Sequence, residues 1–245
     1  MHRFLTSCIV IAALAGGACS NSDTPTTPTT PTTPSAAITP STGVYQLGQT
    51  QTFTLTASTT PTNVTWASSN PNVLTIDGSG SATAVGVGTA TITSTADGNL
   101  SATLAIQVVP IYQGNWTGTA SVLACTDTAG FLAAGYCARN LGAVNTVSLT
   151  LTQNGNTVTG TIIKSEGANL LNGTINGTIG AAGDVTMTGT LAGLANGSNL
   201  QLAVISWNSL ADGVNMTGTW AGNITSPQIL GIATLQWSLT MRTAP

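Results

Sequence analysis

From residue 111 to the C-terminus, apolar and polar residues alternate along short segments that are separated by turn signals. Such alternation predicts β-strands that bury one face. The Asn-Gly-Asn triplet at 154–156 is a strong hairpin signal, and further turns lie at 182–184 and 211–213. Consecutive hairpins without a helical period predict an antiparallel meander, which with eight strands closes into an up-and-down barrel. The eight segments are 112–122, 146–153, 157–163, 170–179, 184–191, 199–206, 214–220 and 231–242.

Each predicted strand places apolar residues on one face and Thr or Ser on the other. Leu235, Trp237 and Leu239 illustrate the apolar face in the last segment. Glycines recur on this face within Thr/Asn-Gly-Thr units. There they either permit strong strand coiling or leave room for a ligand. They stand at positions 160, 173, 177, 189 and 218.

Residues 36–109 carry six or seven shorter alternating segments, a pattern typical of a β-sandwich. In order along the chain, the segment contains Gly48-Gln49-Thr50, Val64-Thr65-Trp66, Ser68-Ser69-Asn70-Pro71, Val73, Ile76-Asp77, Gly80, Ala84-Val85-Gly86, Gly88-Thr89-Ala90 and Ile92. Together these residues resemble the bacterial Ig-like domain of group 2. The resemblance implies a sandwich with Trp66 in its core and a role in bacterial adhesins, either as the binding surface or as a spacer.

The N-terminus has the organisation of a signal peptide. A short positive region, Met1 to Arg3, precedes fifteen apolar or small residues, 4–18, which are too few to span a bilayer as a helix. Leu14, Ala15, Gly17, Ala18 and then Cys19 resemble the end of a bacterial lipoprotein signal. This resemblance implies cleavage after residue 18, lipidation of Cys19 and, because Ser20 follows, sorting to the outer membrane. Ordinary signal cleavage at the same place is the alternative.

Residues 19–35 would then form the lipidated cysteine and a tether. From 24 to 35 the chain repeats Pro-Thr-Thr. Proline favours the extended polyproline II conformation, at about 3.1 Å per residue. The repeat is therefore predicted to hold the folded part away from the lipid.

The chain has very few charges, with 4 Lys+Arg and 7 Asp+Glu, or 4% of residues. Without a basic patch, nucleic-acid binding is not expected. The single histidine, His2, leaves with the signal peptide, so no catalytic arrangement that needs an imidazole can form. The mature chain keeps one lysine, Lys164, and one glutamate, Glu166, which no motif pairs with an aspartate. We therefore expect no enzymatic activity, no metal site and no cofactor.

Two cysteines, Cys125 and Cys137, lie between the first two strands of the second domain, 111–245. In an oxidising compartment they are predicted to form a disulfide. Zinc is the competing interpretation, but two thiols without a histidine do not complete a tetrahedral site. Phe131 and Tyr136 inside this loop, with Leu132, either plug the barrel end or form an exposed contact.

Three tryptophans, Trp116, Trp220 and Trp237, are candidate ligand contacts on the apolar face. Gly114-Asn115-Trp116 is similar to the opening motif of lipocalins, in which the tryptophan lies beneath an arginine of a late strand; Arg242 is the possible counterpart. This resemblance implies a carrier or inhibitor that binds a small apolar ligand inside the barrel.

The competing prediction, which we favour, is adhesion or binding to a glycan or a surface protein through the exterior. In both, the protein is a lipid-anchored component of the outer membrane or cell surface. A transmembrane barrel is less consistent with the threonine face and the lack of aromatic girdles.

Overall fold

The computed structural model describes residues 35–195 and 197–244. It is all-β, as the sequence predicts, and begins with an Ig-like β-sandwich. The tether and Cys19 lie outside the described residues. Among those that are described, no helix combines the length and the apolar character needed to cross a membrane.

The first domain contains nine short strands. A four-stranded sheet has the order β2-β9-β8-β5, a three-stranded sheet has the order β3-β7-β6, and β1 pairs with β4. The strands are β1 (Ala36–Thr39), β2 (Val44–Gln46), β3 (Thr50–Thr52), β4 (Thr54–Ala57), β5 (Thr65–Ser68), β6 (Leu74–Ile76), β7 (Ser81–Ala84), β8 (Gly88–Ala96) and β9 (Leu100–Val109).

The core of the first domain is filled by Phe53, Ile92 and Ile106. The sequence predicts Trp66 at the centre of this core, but its side chain is only half-buried and packs against the side of the core. The reason is its position on β5, the edge strand of the four-stranded sheet, where one side has no neighbour.

The second domain is a closed barrel of eight antiparallel strands that follow one another in sequence. The predicted meander and closure are therefore confirmed. Two short helices, α1 (Ala129–Ala133) and α2 (Tyr136–Asn140), lie between the first two strands. The strands are β10 (Gly114–Asp127), β11 (Val144–Asn154), β12 (Thr157–Glu166), β13 (Asn169–Ile179), β14 (Val185–Ala195), β15 (Ser198–Ala211), β16 (Asn215–Ser226) and β17 (Ile229–Thr243).

The barrel has two distinct ends. At the joint end lie the hairpins 154–157, 179–185 and 211–215, together with the chain that enters from the first domain. At the lid end lie the other hairpins and the helices α1 and α2, which we call the lid.

The two domains are connected by a packed segment. Val109 and Tyr112 are fully buried. The side-chain amide of Gln107 donates to the carbonyl of Gly180 (2.9 Å), and that of Gln153 donates to the carbonyl of Pro110 (3.1 Å). The first contact ties β9 of the sandwich to the hairpin 179–185, and the second ties the residue after β9 to the second strand of the barrel, so the described part of the chain forms one compact unit.

Tyr112 closes the joint end of the barrel. Its hydroxyl lies 2.8 Å from the carbonyl oxygen of Gly183 and 3.0 Å from that of Ser209, and it accepts a hydrogen bond from the Ala211 N–H (3.2 Å). Burial raises the pKa of this phenol to about 12. The ring is thus a neutral plug that joins strands from opposite sides of the barrel mouth.

The inward glycines mark places where neighbouring backbones approach closely. A Cβ on Gly173 would lie 1.8 Å from the carbonyl oxygen of Thr190, and one on Gly218 would lie 2.2 Å from that of Asn208. The same holds at 160, 177 and 189, where the distances to the nearest carbonyl oxygen are 2.1–2.2 Å. Backbone already occupies this space, so these glycines serve strand coiling and not ligand binding.

We predict that Gly173→Ala destabilises the barrel by about 1–3 kcal/mol, because its methyl group overlaps a neighbouring carbonyl that belongs to the ladder. Urea unfolding followed by tryptophan fluorescence measures the change. Thr174→Ala is the matched control, since the next side chain along the strand points outward and is exposed. Equal stability of the two variants would contradict a steric role for Gly173.

Candidate functional site

Three tryptophans form a continuous row across the inner face of the barrel. Trp207 is the register partner of Trp220, which is in turn the partner of Trp237. The rings of Trp220 and Trp237 are stacked, with centroids 4.1 Å apart, and Trp207 packs against Trp220 at 5.3 Å. The indole N–H of Trp207 donates to the Ser209 hydroxyl (2.9 Å), while those of Trp220 and Trp237 have no partner among the described residues.

Trp116 lies apart from this row. Its register partner is Thr243, six residues beyond Trp237 on β17, which separates the two by roughly 20 Å along the strand. Its indole N–H donates to the Tyr112 carbonyl (2.8 Å). The structure therefore brings Trp220 and Trp237 together, adds Trp207, and places Trp116 with the plug at the joint end.

Arg242 does not cover Trp116. It is exposed on the outer face, and its neighbour Met241 points into the barrel. The proposed lipocalin-like pairing is therefore wrong for this arginine, because side chains alternate strictly along β17. The resemblance to lipocalins is not confirmed.

An ion pair is buried inside the barrel near the lid end. Lys164 and Glu166 follow Ile162 on the inward face of β12, and their side chains are joined at 2.5 Å. The ammonium group also lies 5.4 Å from the ring centroid of Trp237 and donates to the Ser165 carbonyl (3.0 Å). Burial lowers the pKa of Lys164, and the Glu166 carboxylate partly opposes this shift.

The lid is attached to this pair. The hydroxyl of Tyr136 in α2 donates to Oε1 of Glu166, while Oε2 faces Lys164. Burial and then the charge of Glu166 raise the pKa of the Tyr136 phenol. Phe131 of α1 is fully buried and meets the Tyr136 ring edge-on at 5.4 Å. Phe131 and Tyr136 therefore plug the barrel end, whereas Leu132, at 62% exposure, points away.

A disulfide holds the lid to the barrel wall. Cys125 on β10 and Cys137 on α2 are bonded, as the sequence predicts. Closing such a short loop contributes about 2–3 kcal/mol of stability. The Cys137 N–H also donates to the Asp127 carboxylate (2.8 Å). The lid thus has covalent and polar attachments on one side and the Tyr136–Glu166 hydrogen bond on the other.

Beneath the lid is a cavity of about 350 Å³. Its apolar wall includes Phe131, Leu200 and Ile229, and its polar wall includes Glu166 and Arg139. Ala134, Tyr136, Asn140, Gly167, Ala195 and Ser198 complete the lining.

The outer face of the barrel carries hydroxyl groups in register. Thr150, Thr161, Thr174 and Thr190 are successive cross-strand partners on β11 to β14. Adjacent strands lie about 4.8 Å apart, so the hydroxyls form rows across the sheet. Two depressions of about 600 and 630 Å³ lie on this face. Besides Thr174 and Thr190, their polar lining consists of Thr157, Thr159, Asn172, Asn176, Thr178, Thr186, Thr188, Gln201, Ser206, Asn223 and Thr225.

In the described ranges, no group of three or more His, Cys, Asp or Glu side chains is placed to hold a metal ion. The candidates that the sequence provides for this site do not include Trp207 or the buried pair of Lys164 and Glu166. The alternation of residues along β12 does indicate that Lys164 and Glu166 point inward, because both continue the series of inward positions that includes Val158 and Ile162.

We predict that Lys164→Met costs about 3–5 kcal/mol, because it leaves the Glu166 carboxylate buried without its cation. The double variant Lys164→Met/Glu166→Gln should recover most of this loss, since Gln still accepts the Tyr136 hydrogen bond and carries no charge. Urea unfolding of both variants measures the difference. If the double variant is less stable than the single one, the cost does not come from an uncompensated charge.

The comparisons with known proteins concern the first domain. Residues 32–106 match the family model of the bacterial Ig-like domain (group 2), which confirms the resemblance stated above for this part of the chain. No curated protein matches the chain at a significant level. Domains of this family occur in bacterial surface and extracellular proteins. An Ig-like domain followed by a closed eight-stranded barrel fits a surface-displayed or binding protein.

Proposed function

We propose that this chain is a non-enzymatic, lipid-anchored protein of the outer membrane or cell surface that acts in adhesion. In this proposal the Ig-like domain is a spacer and the barrel is the binding module. The partner is a glycan or a neighbouring surface protein that contacts the outer face of the barrel.

The observation that carries the proposal is the array of polar side chains on the outer face. Threonine hydroxyls in register on four neighbouring strands present donors and acceptors at a regular spacing, and the depressions beside them add the amides of Asn172, Gln201 and Asn223. Each hydrogen bond to such a surface is weak, so binding would depend on many contacts made at once. A surface with so few charges also favours contacts that depend little on salt.

The packed joint supports the role of the first domain as a spacer. Gln107 and Gln153 fix the barrel on the end of the sandwich, so the outer face has a defined orientation on that domain. A fixed module loses less conformational freedom on binding than one on a flexible linker.

The contacts of the few side chains that could act as nucleophiles or bases support the proposal that the protein is not an enzyme. Cys125 and Cys137 are joined to each other, and Glu166 is engaged by Lys164 and Tyr136. None of these groups is arranged as a nucleophile beside a base.

A carrier that holds a ligand against Trp116, Trp220 and Trp237 receives less support. Trp220 and Trp237 stack on each other, and Trp116 belongs to the plug at the joint end. An eight-stranded barrel is often just wide enough for its own side chains to fill.

To test adhesion through the outer face, Thr174→Lys/Thr190→Lys alters one cross-strand pair beside a depression. We expect beads coated with this variant to lose at least about tenfold in attachment to cells of the source bacterium or to an array of bacterial glycans, because the added ammonium groups disrupt the uncharged surface. The matched control, Thr119→Lys/Thr240→Lys, alters an exposed pair on β10 and β17. The control should attach like the unmodified protein. If Thr174→Lys/Thr190→Lys also does so, the part of the outer face formed by β11 to β14 is not the adhesive surface.

For the anchor, we expect Cys19→Ser to move the protein from the membrane fraction to the soluble fraction, because the thiol that accepts the lipid is lost. Immunoblots of separated fractions measure the distribution. Cys8→Ser is the control, since that cysteine lies within the signal peptide and should leave the distribution unchanged. Retention of Cys19→Ser in membranes would show that the lipid assignment is wrong.

A further inference from the structure

The lid end of the barrel exposes an unusual set of aliphatic side chains. Leu230 is 82% exposed, Leu132 62%, Leu141 59% and Leu194 57%. Each is the immediate chain neighbour of a residue that lines the cavity beneath the lid, namely Ile229, Phe131, Asn140 and Ala195. Clustered exposed aliphatic groups mark contact with an apolar partner. Because their chain neighbours line the cavity, a ligand held there would end close to this part of the surface.

The size of the cavity limits that ligand. Binding sites for small molecules have volumes of about 300–1,000 Å³, so a cavity of about 350 Å³ is at the lower limit. It has room for one short chain and not for a lipid with two chains. Phe131, Leu200 and Ile229 provide the apolar surface against which such a chain would pack.

The charged side chains around the cavity determine the charge that the polar end of the ligand should carry. The Glu166 carboxylate is compensated by Lys164 at 2.5 Å and bound by Tyr136. The Asp127 carboxylate does not line the cavity and accepts the Cys137 N–H. Arg139, an exposed side chain that lines the cavity, donates one guanidinium N–H to the Ala134 carbonyl and forms no ion pair with an acidic side chain in the described ranges. An anionic group is therefore favoured beside it.

We propose that the cavity beneath the lid binds a single-chain anionic amphiphile of the medium-chain fatty acid class. The chain packs against Phe131 and Leu200, and the carboxylate accepts from those N–H groups of Arg139 that do not bind the Ala134 carbonyl. Leu230, which follows the cavity-lining Ile229, covers the part of the chain that emerges from the cavity. This site is separate from the outer face, so it neither requires nor excludes adhesion there.

The test is calorimetric titration of the full mature chain with decanoate. Cys19→Ser is present throughout, so that the protein carries no acyl chain of its own. We expect saturable binding of one decanoate. Arg139→Gln should raise the Kd by at least about tenfold, and Ser198→Trp, which fills the cavity from its edge, should abolish binding. Circular dichroism establishes that both variants are folded.

Two matched controls separate this site from general effects of the substitutions. Arg242→Gln removes an exposed arginine from the joint end, and Leu210→Ser removes a leucine that is 53% exposed on β15, for comparison with Leu230→Ser. Only the variants at the lid end should weaken binding.

The proposal is overturned if decanoate does not bind or if Arg139→Gln leaves its Kd unchanged. It is also overturned if the protein binds vesicles of phosphatidylglycerol equally well with and without Ser198→Trp, because the leucines would then contact a bilayer and not a ligand in the cavity.

Discussion

The whole second domain depends on the close approach of neighbouring strands at its inward glycines. At Gly173 the carbonyl oxygen of Thr190, and at Gly218 that of Asn208, occupies the place of a side chain. This contact lets the sheet coil strongly enough for β10 to pair with β17, so no edge strand remains. Closure in turn fixes the register on the outer face and creates an interior that aromatic side chains fill. The tryptophan row, the plugs and the threonine rows all follow from it.

The scarcity of charge gives the remaining charged groups unusual roles. The only lysine and the only glutamate of the chain, Lys164 and Glu166, are paired in the interior and take no part in the surface. A buried pair is seldom more stable than apolar side chains of the same volume, but it gives a directional contact. Here that contact is the hydrogen bond from Tyr136, which determines where the lid rests. Most polar side chains of the barrel exterior are therefore hydroxyls and amides.

Both ends of the barrel are closed by a tyrosine, with different consequences. At the joint end Tyr112 bonds backbone groups of two hairpins and lies next to the packed connection to the Ig-like domain. At the lid end Tyr136 belongs to a short helical segment held by the disulfide, and a cavity remains beside it. The first closure serves the assembly of the two domains. The second leaves a cavity beneath the lid, where a small ligand would fit.

The sequence by itself determined the strands of the barrel, their number and the pairing of Cys125 with Cys137, because alternation, hairpin signals and cysteine content can be read without knowing which segments meet. In the first domain it predicted six or seven strands where the structure has nine, because strands of three or four residues are too short to show a clear alternation. It also determined the resemblance of the first domain to the bacterial Ig-like domain (group 2), because the residues typical of that family follow one another in a fixed order. Only the tertiary structure decided which inward residues meet. Trp207, Trp220 and Trp237 come together while Trp116 does not, because cross-strand register, shifted by the bulge between Val204 and Ser206, is set by closure of the whole barrel. The cavity beneath the lid likewise arises from packing between segments that are distant in sequence, and no local pattern encodes it.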